Sequence, residues 1–435
     1  MKILFIYPSF ERHAQSHPEL KSFVPCNEYI GPPSLGIASV AACTPAGHQV
    51  EFLDDRIHPV SENNLPEADL YALSFFTPAA TRAIEIGQML RQTGRPVIMG
   101  GIFPTMMPDE VAPHCDTLVI GEGEPVWPQI CEDIPRGNLK PRYQADGPAD
   151  LASLPPPRVD LYLDAEDDSF SPDDYPLQLS RGCPFACTSC VLPEVMGRKI
   201  RHFPLETVWE TMTTFAKAGK VCSLTEDTSF MFVSGARRRF RAFLNKLIES
   251  GPEINARLSY IGTSMPLLLN VEEAVLEEAR RSGIDRFYLV CGFDPITQDA
   301  FGKGDRQATL KAEECIERCH EFGIEPYISI LVGNDDDDEG IFDRVLEFTH
   351  KTKILLAEFV VSTPYPGTPS WKRLESQGRI IDRTWKRYND ANVVFKPAQM
   401  SPERLQEGYL TLWREFYQDK QHLKDAEKTK KTIQF

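Results

Sequence analysis

No apolar run in this chain reaches the roughly 18 residues that a membrane-spanning helix requires, so no bilayer span is expected. Positive charge is in deficit. Lys and Arg number 47 against 63 Asp and Glu, a formal net charge of −16, and such a surface lacks the electrostatic footprint for wrapping nucleic acid. No G-x-G-x-x-G opens a helix after the first predicted strand, which argues against a nicotinamide dinucleotide. No internal repeat recurs at a fixed period. The opening segment MKILFIYPSF has one Lys and a short apolar stretch but no small-residue cleavage site, so it does not read as a secretory signal, and a cytoplasmic location is expected.

What is present is ordinary globular material: 435 residues, 42% hydrophobic and 25% charged, enough for about two or three domains. The 11 cysteines are an odd number. In a reducing compartment that count suggests metal or redox chemistry rather than disulfides. Cys26, Cys43, Cys115, Cys131, Cys222 and Cys291 stand singly, whereas Cys183, Cys187 and Cys190 form one group and Cys315 and Cys319 another.

The hydrophobic pattern divides the chain. Over 1–140, short apolar strands at 3–7, 50–53, 69–75, 96–99 and 117–120 alternate with helical segments at 33–46, 77–92 and 125–134. Strands of that kind predict a parallel sheet covered on both faces, a doubly wound Rossmann-like layer. Over 141–176 the pattern stops, with Pro-Pro-Pro at 155–157 and an acidic run at 164–168, and a linker is expected there. A second alternating series follows over 177–370. Its strands are expected at 177–180, 221–225, 258–261, 287–291, 326–332 and 358–362, with helices at 205–217, 236–249, 271–281, 309–322 and 341–352. Six βα units predict a curved, incomplete TIM-type (β/α)6 barrel with its chemistry at the carboxyl ends of the strands. The region 371–435 reads as helical with a Lys-rich frayed end. The fold class expected is therefore α/β: a Rossmann-like domain, a partial barrel and a C-terminal helical region.

The segment Leu179-Ser180-Arg181-Gly182-Cys183-Pro184-Phe185-Ala186-Cys187-Thr188-Ser189-Cys190 carries the sharpest chemical signal. Three thiols spaced C-x3-C-x2-C in a loop at the first barrel strand suit an iron–sulfur cluster, since soft thiolates prefer it and the tight loop keeps them near one another. With three ligands, a [4Fe–4S] cluster keeps one iron open. A four-ligand zinc site is the other metal reading, for which His202, twelve residues on, is the nearest fourth donor. Cys315 and Cys319, at i and i+4 within a helical run, read as buried helical thiols.

C-x3-C-x2-C at the mouth of a six-unit βα barrel resembles the radical S-adenosylmethionine superfamily. The resemblance implies that Cys183, Cys187 and Cys190 hold the cluster, that its open iron chelates S-adenosylmethionine, and that reductive cleavage yields a 5′-deoxyadenosyl radical. It also implies a protein electron donor such as flavodoxin or ferredoxin. The residue before the third Cys is Ser189, where the superfamily often has an aromatic ring. Glu226 and Asp227, in the run 225–230 after the second barrel strand, occupy the place where relatives present polar groups to the methionine amine. Asp294 follows the fourth strand within reach of a ribose hydroxyl, or is a turn residue ahead of Pro295. The acids of 335–339, after the fifth strand, are expected to favour the positive end of the next helix. The run 363–369, containing Pro-Tyr-Pro-Gly-Thr, is similar to the cobalamin-linked branch of the superfamily.

In the first domain three loops directly follow predicted strands: Ser74-Phe75-Phe76-Thr77, Gly100-Gly101-Ile102-Phe103-Pro104 and Gly121-Glu122-Gly123-Glu124. Paired glycines let backbone approach a bulky cofactor. With Gly31-Pro32-Pro33-Ser34-Leu35-Gly36, these loops resemble the cobalamin-binding domain that precedes many radical S-adenosylmethionine barrels. Ser74, Thr77, Gly100, Gly101, Phe103, Gly121, Glu122 and Gly123 are then the expected cobalamin contacts. The Asp-x-His-x-x-Gly signature is absent, Asp55-Arg56-Ile57-His58 having the wrong spacing, so His58 reads as a surface loop residue and no protein His is expected on cobalt.

The function this implies is cobalamin-dependent radical methylation of an unactivated carbon in a small-molecule or biosynthetic intermediate. A non-methylating reaction with the same cofactors, such as oxidative cyclisation, ring rearrangement or heteroatom insertion, is the alternative, and a non-catalytic cobalamin sensor the third reading. A methylthiotransferase would need an upstream cysteine triad that Cys26, Cys43, Cys115 and Cys131 do not form.

Overall fold

The computed structural model describes residues 1–24, 33–167, 172, 174–224, 226–227, 234–251, 254, 258–291 and 295–418. The first domain is built on six parallel strands: β1 (Lys2–Tyr7), β2 (Gln49–Asp54), β3 (Leu70–Ser74), β4 (Val97–Gly100), β5 (Thr117–Ile120) and β6 (Arg142–Gln144). Their order is β2-β1-β3-β4-β5-β6. The chain reverses direction across the sheet between β1 and β3, and open sheets of this kind bind ligands in the crevice at that switch point. Period-two alternation sorts the strands between two cores. Leu4 and Ile6 pack with Tyr71 and Leu73 under the helix α2 (Ala80–Arg91), the helix α1 (Leu35–Ala42) lying on the opposite face. Ile3, Phe5 and Tyr7 join a core that runs without a break into the second sheet.

That second sheet comprises β7 (Asp174–Leu177), β10 (Val221–Leu224), β11 (Leu258–Thr263), β12 (Arg286–Cys291), β13 (Glu325–Val332) and β14 (Leu356–Val361), all parallel, in the order β14-β13-β12-β11-β10-β7. Its helices are α3 (Leu205–Lys217), α4 (Ser234–Ser250), α5 (Glu273–Arg281), α6 (Arg306–Glu321) and α7 (Ile341–Lys351). Six βα steps leave the barrel open between β7 and β14. The stretch expected as linker contributes a strand at each end, β6 to the first sheet and β7 to the second. The first barrel strand therefore ends earlier than the pattern suggested. Ser180–Arg181 (β8) instead pairs antiparallel with Arg201–His202 (β9), a two-residue ladder that closes the base of the cysteine loop.

Within the C-terminal region are α8 (Pro369–Ser376) and α9 (Pro402–Gln418), separated by a stretch without an α-helix. Helix α9 covers β14, an edge strand with unpaired backbone groups. The Tyr417 hydroxyl accepts from the Ala357 N–H at 3.1 Å and donates to the Ala357 carbonyl at 2.7 Å. The Trp413 indole donates to the Phe359 carbonyl at 3.2 Å. The Phe359 ring meets Trp413 and Phe416 edge-on.

Candidate active site between the two sheets

The three thiols lie on the loop that β8 and β9 close. The Cys183 N–H donates to the Gly197 carbonyl at 3.0 Å and the Cys190 N–H to the Cys187 carbonyl at 3.3 Å, which curl the loop. Gly182, at φ 96°, has no room for a side chain, because a Cβ would run into the Lys199 carbonyl. Cys183 is buried, Cys190 half-buried and Cys187 exposed. The sulfurs do not converge on one point: among the described residues no three His, Cys, Asp or Glu side chains are gathered closely enough to hold a metal ion. Burial pushes the Cys190 thiol up to about 11, and Cys187 and Cys183 add to it. Burial, then Cys183, also raises Cys187.

Glu226 and Asp227 brace this loop. Glu226 accepts from the Leu179 N–H and the Ser180 hydroxyl, and burial carries its carboxyl up to about 8 against the pull of those bonds. Asp227 accepts from the Gly182 N–H at 2.8 Å; burial raises it too. Thr225 and 228–230 lie outside the described residues, as do Asp294, Cys26, Gly31, Pro32 and the Lys-rich end.

On the first sheet, the loops after β3, β4 and β5 stand side by side at the carboxyl edge. The Thr105 hydroxyl ties two of them, donating to the Gly101 carbonyl at 2.7 Å and accepting from the Gly121 N–H at 2.9 Å. A Cβ on Gly101, at φ 102°, would sit 2.8 Å from the Phe75 N and O and from Ser74 Oγ, so that glycine answers to its neighbours. Gly100 abuts Val119, and Gly123 abuts Val40. Gly121, at φ 77°, is different: a Cβ there would meet nothing, leaving bare backbone facing open space. Ser74 is half-buried at the crevice and Thr77 is buried. Phe103 is fully buried beside Phe75 and Trp385, with ring centroids 6.1 and 5.3 Å away, which makes it a packing residue with no surface for a ligand.

Glu122 is also employed otherwise than expected. Its carboxylate, with that of Glu124, meets Arg181, two residues ahead of Cys183. Arg181 Nη1 lies 2.9 Å from Glu122 Oε1 and 2.8 Å from Glu124 Oε1, all three groups being buried. Arg201, across the β8–β9 ladder, donates to Glu122 at 2.8 Å and to the carbonyls of Ala149 and Met196 at 2.7 and 2.8 Å. Burial works against the Arg181 charge, and Glu124 and Glu122 more than restore it, holding the guanidinium charged. This knot joins the Gly-Glu-Gly-Glu loop of one domain to the thiol loop of the other. Arg181 is visible in sequence only as the residue ahead of Gly182-Cys183, and Arg201 carries no local signal.

The inner face of the barrel is the other feature absent from the sequence reading. Phe287, Leu289, Ile328, Ile330, Ala357 and Phe359 face outward into the helix core. Their neighbours face inward: Tyr260, Tyr288 and Tyr327 form a ladder across β11, β12 and β13, with ring centroids 6.0 and 5.2 Å apart. Glu358 on β14 completes the row, accepting from the Tyr288 hydroxyl at 2.8 Å. TIM-type interiors are ordinarily filled with branched aliphatic side chains. Here hydroxyl groups and a carboxylate line it, and the three tyrosines stay only half-buried. The loop after β1 reaches into this space, bringing Arg12 and His13. His13, at φ 27°, lies 2.9 Å from both Glu358 Oε1 and the Tyr409 hydroxyl.

Around the barrel mouth, a 130 Å³ cavity is lined by Cys187, Gln298, Asn334, Ser362 and Arg373 among others. The acids of the loop after β13 have specific partners rather than the next helix's positive end. Asp337 accepts from the N–H groups of Gly333 and Asn334 at 2.7 and 2.8 Å, Asp335 pairs with Arg373 and Arg379, and Asp338 with Arg344. Cys315 and Cys319 are buried within α6, as their spacing indicated, and His58 is exposed near Asp167.

Comparison with known proteins agrees with this geometry. The B12 binding domain family matches residues 29–130, the Radical SAM superfamily residues 177–348, and a domain of unknown function (DUF4070) residues 368–434. The chain is 28% identical to the bacteriochlorophyllide d C-12(1)-methyltransferase of Chlorobaculum tepidum, over 88% of this chain and 82% of that one. It is 24% identical to the anaerobic magnesium-protoporphyrin IX monomethyl ester cyclase of Cereibacter sphaeroides, over 97% and 71%. The fold is that of the radical S-adenosylmethionine methyltransferase TsrM from Kitasatospora setae, with a TM-score of 0.63 at 16% identity over 94% of this chain and 85% of that one. The donor set fits the cofactors these domains take: three soft thiols within one eight-residue loop suit an iron–sulfur cluster, and the bare Gly121 backbone faces open space at the carboxyl edge of the first sheet. The chain thus unites a B12-binding domain with a radical S-adenosylmethionine domain and is homologous to the cobalamin-dependent radical methyltransferases and the magnesium-protoporphyrin cyclase.

Proposed function

We propose that this protein is a cobalamin-dependent radical S-adenosylmethionine methyltransferase that places a methyl group on an unactivated carbon of a small biosynthetic intermediate. Cys183, Cys187 and Cys190 hold the [4Fe–4S] cluster, and the loops after β3, β4 and β5 receive cobalamin. The observation that carries this reading is the Arg181 knot. It sets the crevice loop Gly121–Glu124 directly against the strand that leads into the thiol loop, so the two cofactor sites share one wall. When bound, the cluster, S-adenosylmethionine and cobalamin supply substrate activation and the transferable methyl group. The chain's own part is placement: Asp227 and Glu226 fix the loop backbone from 179 to 182, and the arginine knot sets the spacing. A flavodoxin- or ferredoxin-like donor would reduce the cluster, in a cytoplasmic setting. Relatives named for methylation of bacteriochlorophyllide d support carbon as the acceptor.

The test is anaerobic reconstitution followed by turnover with methyl-deuterated S-adenosylmethionine and candidate tetrapyrrole acceptors. Label in the product is the expected result. A modified product without label would reject methylation and favour the cyclase-like alternative. Replacing any one of the three cysteines with Ala is expected to lower iron and sulfide content after reconstitution.

A further inference from the structure

Arg12 comes from the first domain and reaches the inner face of the second, where one guanidinium nitrogen lies 3.2 Å from Glu358 Oε1. Its other guanidinium N–H groups have no protein partner among the described residues, and half of its side-chain surface stays open. Around it stand Glu358, Asp390, Tyr288 and Tyr327, close enough to act on its charge. A guanidinium buttressed on one side and open on the other is a fork waiting for an oxyanion.

Glu358 is the buttress and not a base. Both its oxygens are engaged, Oε1 by Arg12 and His13 and Oε2 by the Tyr288 hydroxyl. Burial opposes its charge, but His13 and Arg12 outweigh this and hold the carboxyl down at about 2. It therefore remains an anion that fixes Arg12 and the Tyr288 hydroxyl on the inner face of the barrel. The Tyr260–Tyr288–Tyr327 ladder continues from that point as a row of half-open rings, a surface for a flat apolar body.

Resting on the radical methyltransferase reading, we propose that Arg12 is a specificity-determining residue that takes an oxyanion, carboxylate or phosph(on)ate, of an otherwise flat apolar substrate lying along the tyrosine ladder. The anion is then the handle and the methylated carbon lies away from it.

Binding tests this without turnover. Holoenzyme is titrated with 4-(1-pyrenyl)butyrate, its carboxamide and 4-(1-pyrenyl)butylphosphonate, by equilibrium dialysis. The wild type is expected to favour an anionic probe over the amide by about tenfold or more, the scale of one charge-assisted hydrogen-bonded pair. Arg12→Gln is expected to erase that preference while leaving amide binding unchanged, and Arg12→Lys to keep part of it. The carboxylate and phosphonate arms decide which oxyanion fits. Equal affinity for acids and amide, retention of the preference in Arg12→Gln, or no binding of any probe overturns the proposal. Methyl transfer plays no part in the readout. An Arg12-dependent preference in a chain that transfers no methyl group would therefore sink the methylation reading alone.

Discussion

At the scale of single residues, Glu358 carries the clearest energetic signature. Its carboxyl lies below its ordinary value in the folded chain, because the His13 hydrogen bond and the Arg12 charge outweigh the burial that opposes ionisation. A depressed carboxylate adds stability that is complete above the unfolded value of about 4.3 and is lost as pH falls toward the folded one. The window runs from about 4.3 down to about 2. Glu358→Gln is therefore expected to flatten the acid limb of the stability–pH curve by up to one proton, measured by urea unfolding at a series of pH values. A wild-type slope in the variant would refute the assignment. Gly121 and Gly101 show how alike two glycines look in sequence and how differently they serve. One faces open space, and the other avoids its neighbours.

At the scale of elements, helix α9 depends on a close approach. A Cβ on Gly408 would collide with the Phe342 ring of α7, itself buried in the core. Gly408→Ala is expected to destabilise the chain by about 1–3 kcal/mol through overpacking, read as a lowered urea midpoint, even though alanine favours helix by up to about 1 kcal/mol. A raised midpoint would show that the helices part easily. Most elements were legible from periodicity: β5, α3 and the strands from β10 to β14 lie close to where alternation and apolar runs put them. The thiol loop was legible because its chemistry is compressed into eight residues. Arg12, Glu358 and the tyrosine ladder were not. Arg12 and Glu358 stand 346 residues apart, and an inward tyrosine in a run such as FYLV has the same spelling as one packed in a core. Phe103 and Glu122 misled for the opposite reason. Each sits in a loop shaped like a cofactor contact, while its side chain is taken by Trp385 or by Arg181.

At the scale of the whole molecule, the two sheets are joined both by a continuous apolar core and by one buried charged knot. Removing one member of such a knot leaves the others uncompensated and typically costs about 3–5 kcal/mol. Arg181→Met is expected to lose that order of stability, and the loss should shrink by about 1 kcal/mol or more when Glu122→Gln is added. Strict additivity in that double-mutant cycle would show that the domains are held by apolar packing alone.

The knot also bears on motion between the two sheets. Glu122 lies in the loop after β5 at the carboxyl edge of the first sheet, and Arg181 stands two residues ahead of Cys183. Any motion that parts Glu122 and Glu124 from Arg181 must therefore pull on the strand that leads into Cys183, so a displacement at the carboxyl edge of one sheet is felt at the thiol loop of the other.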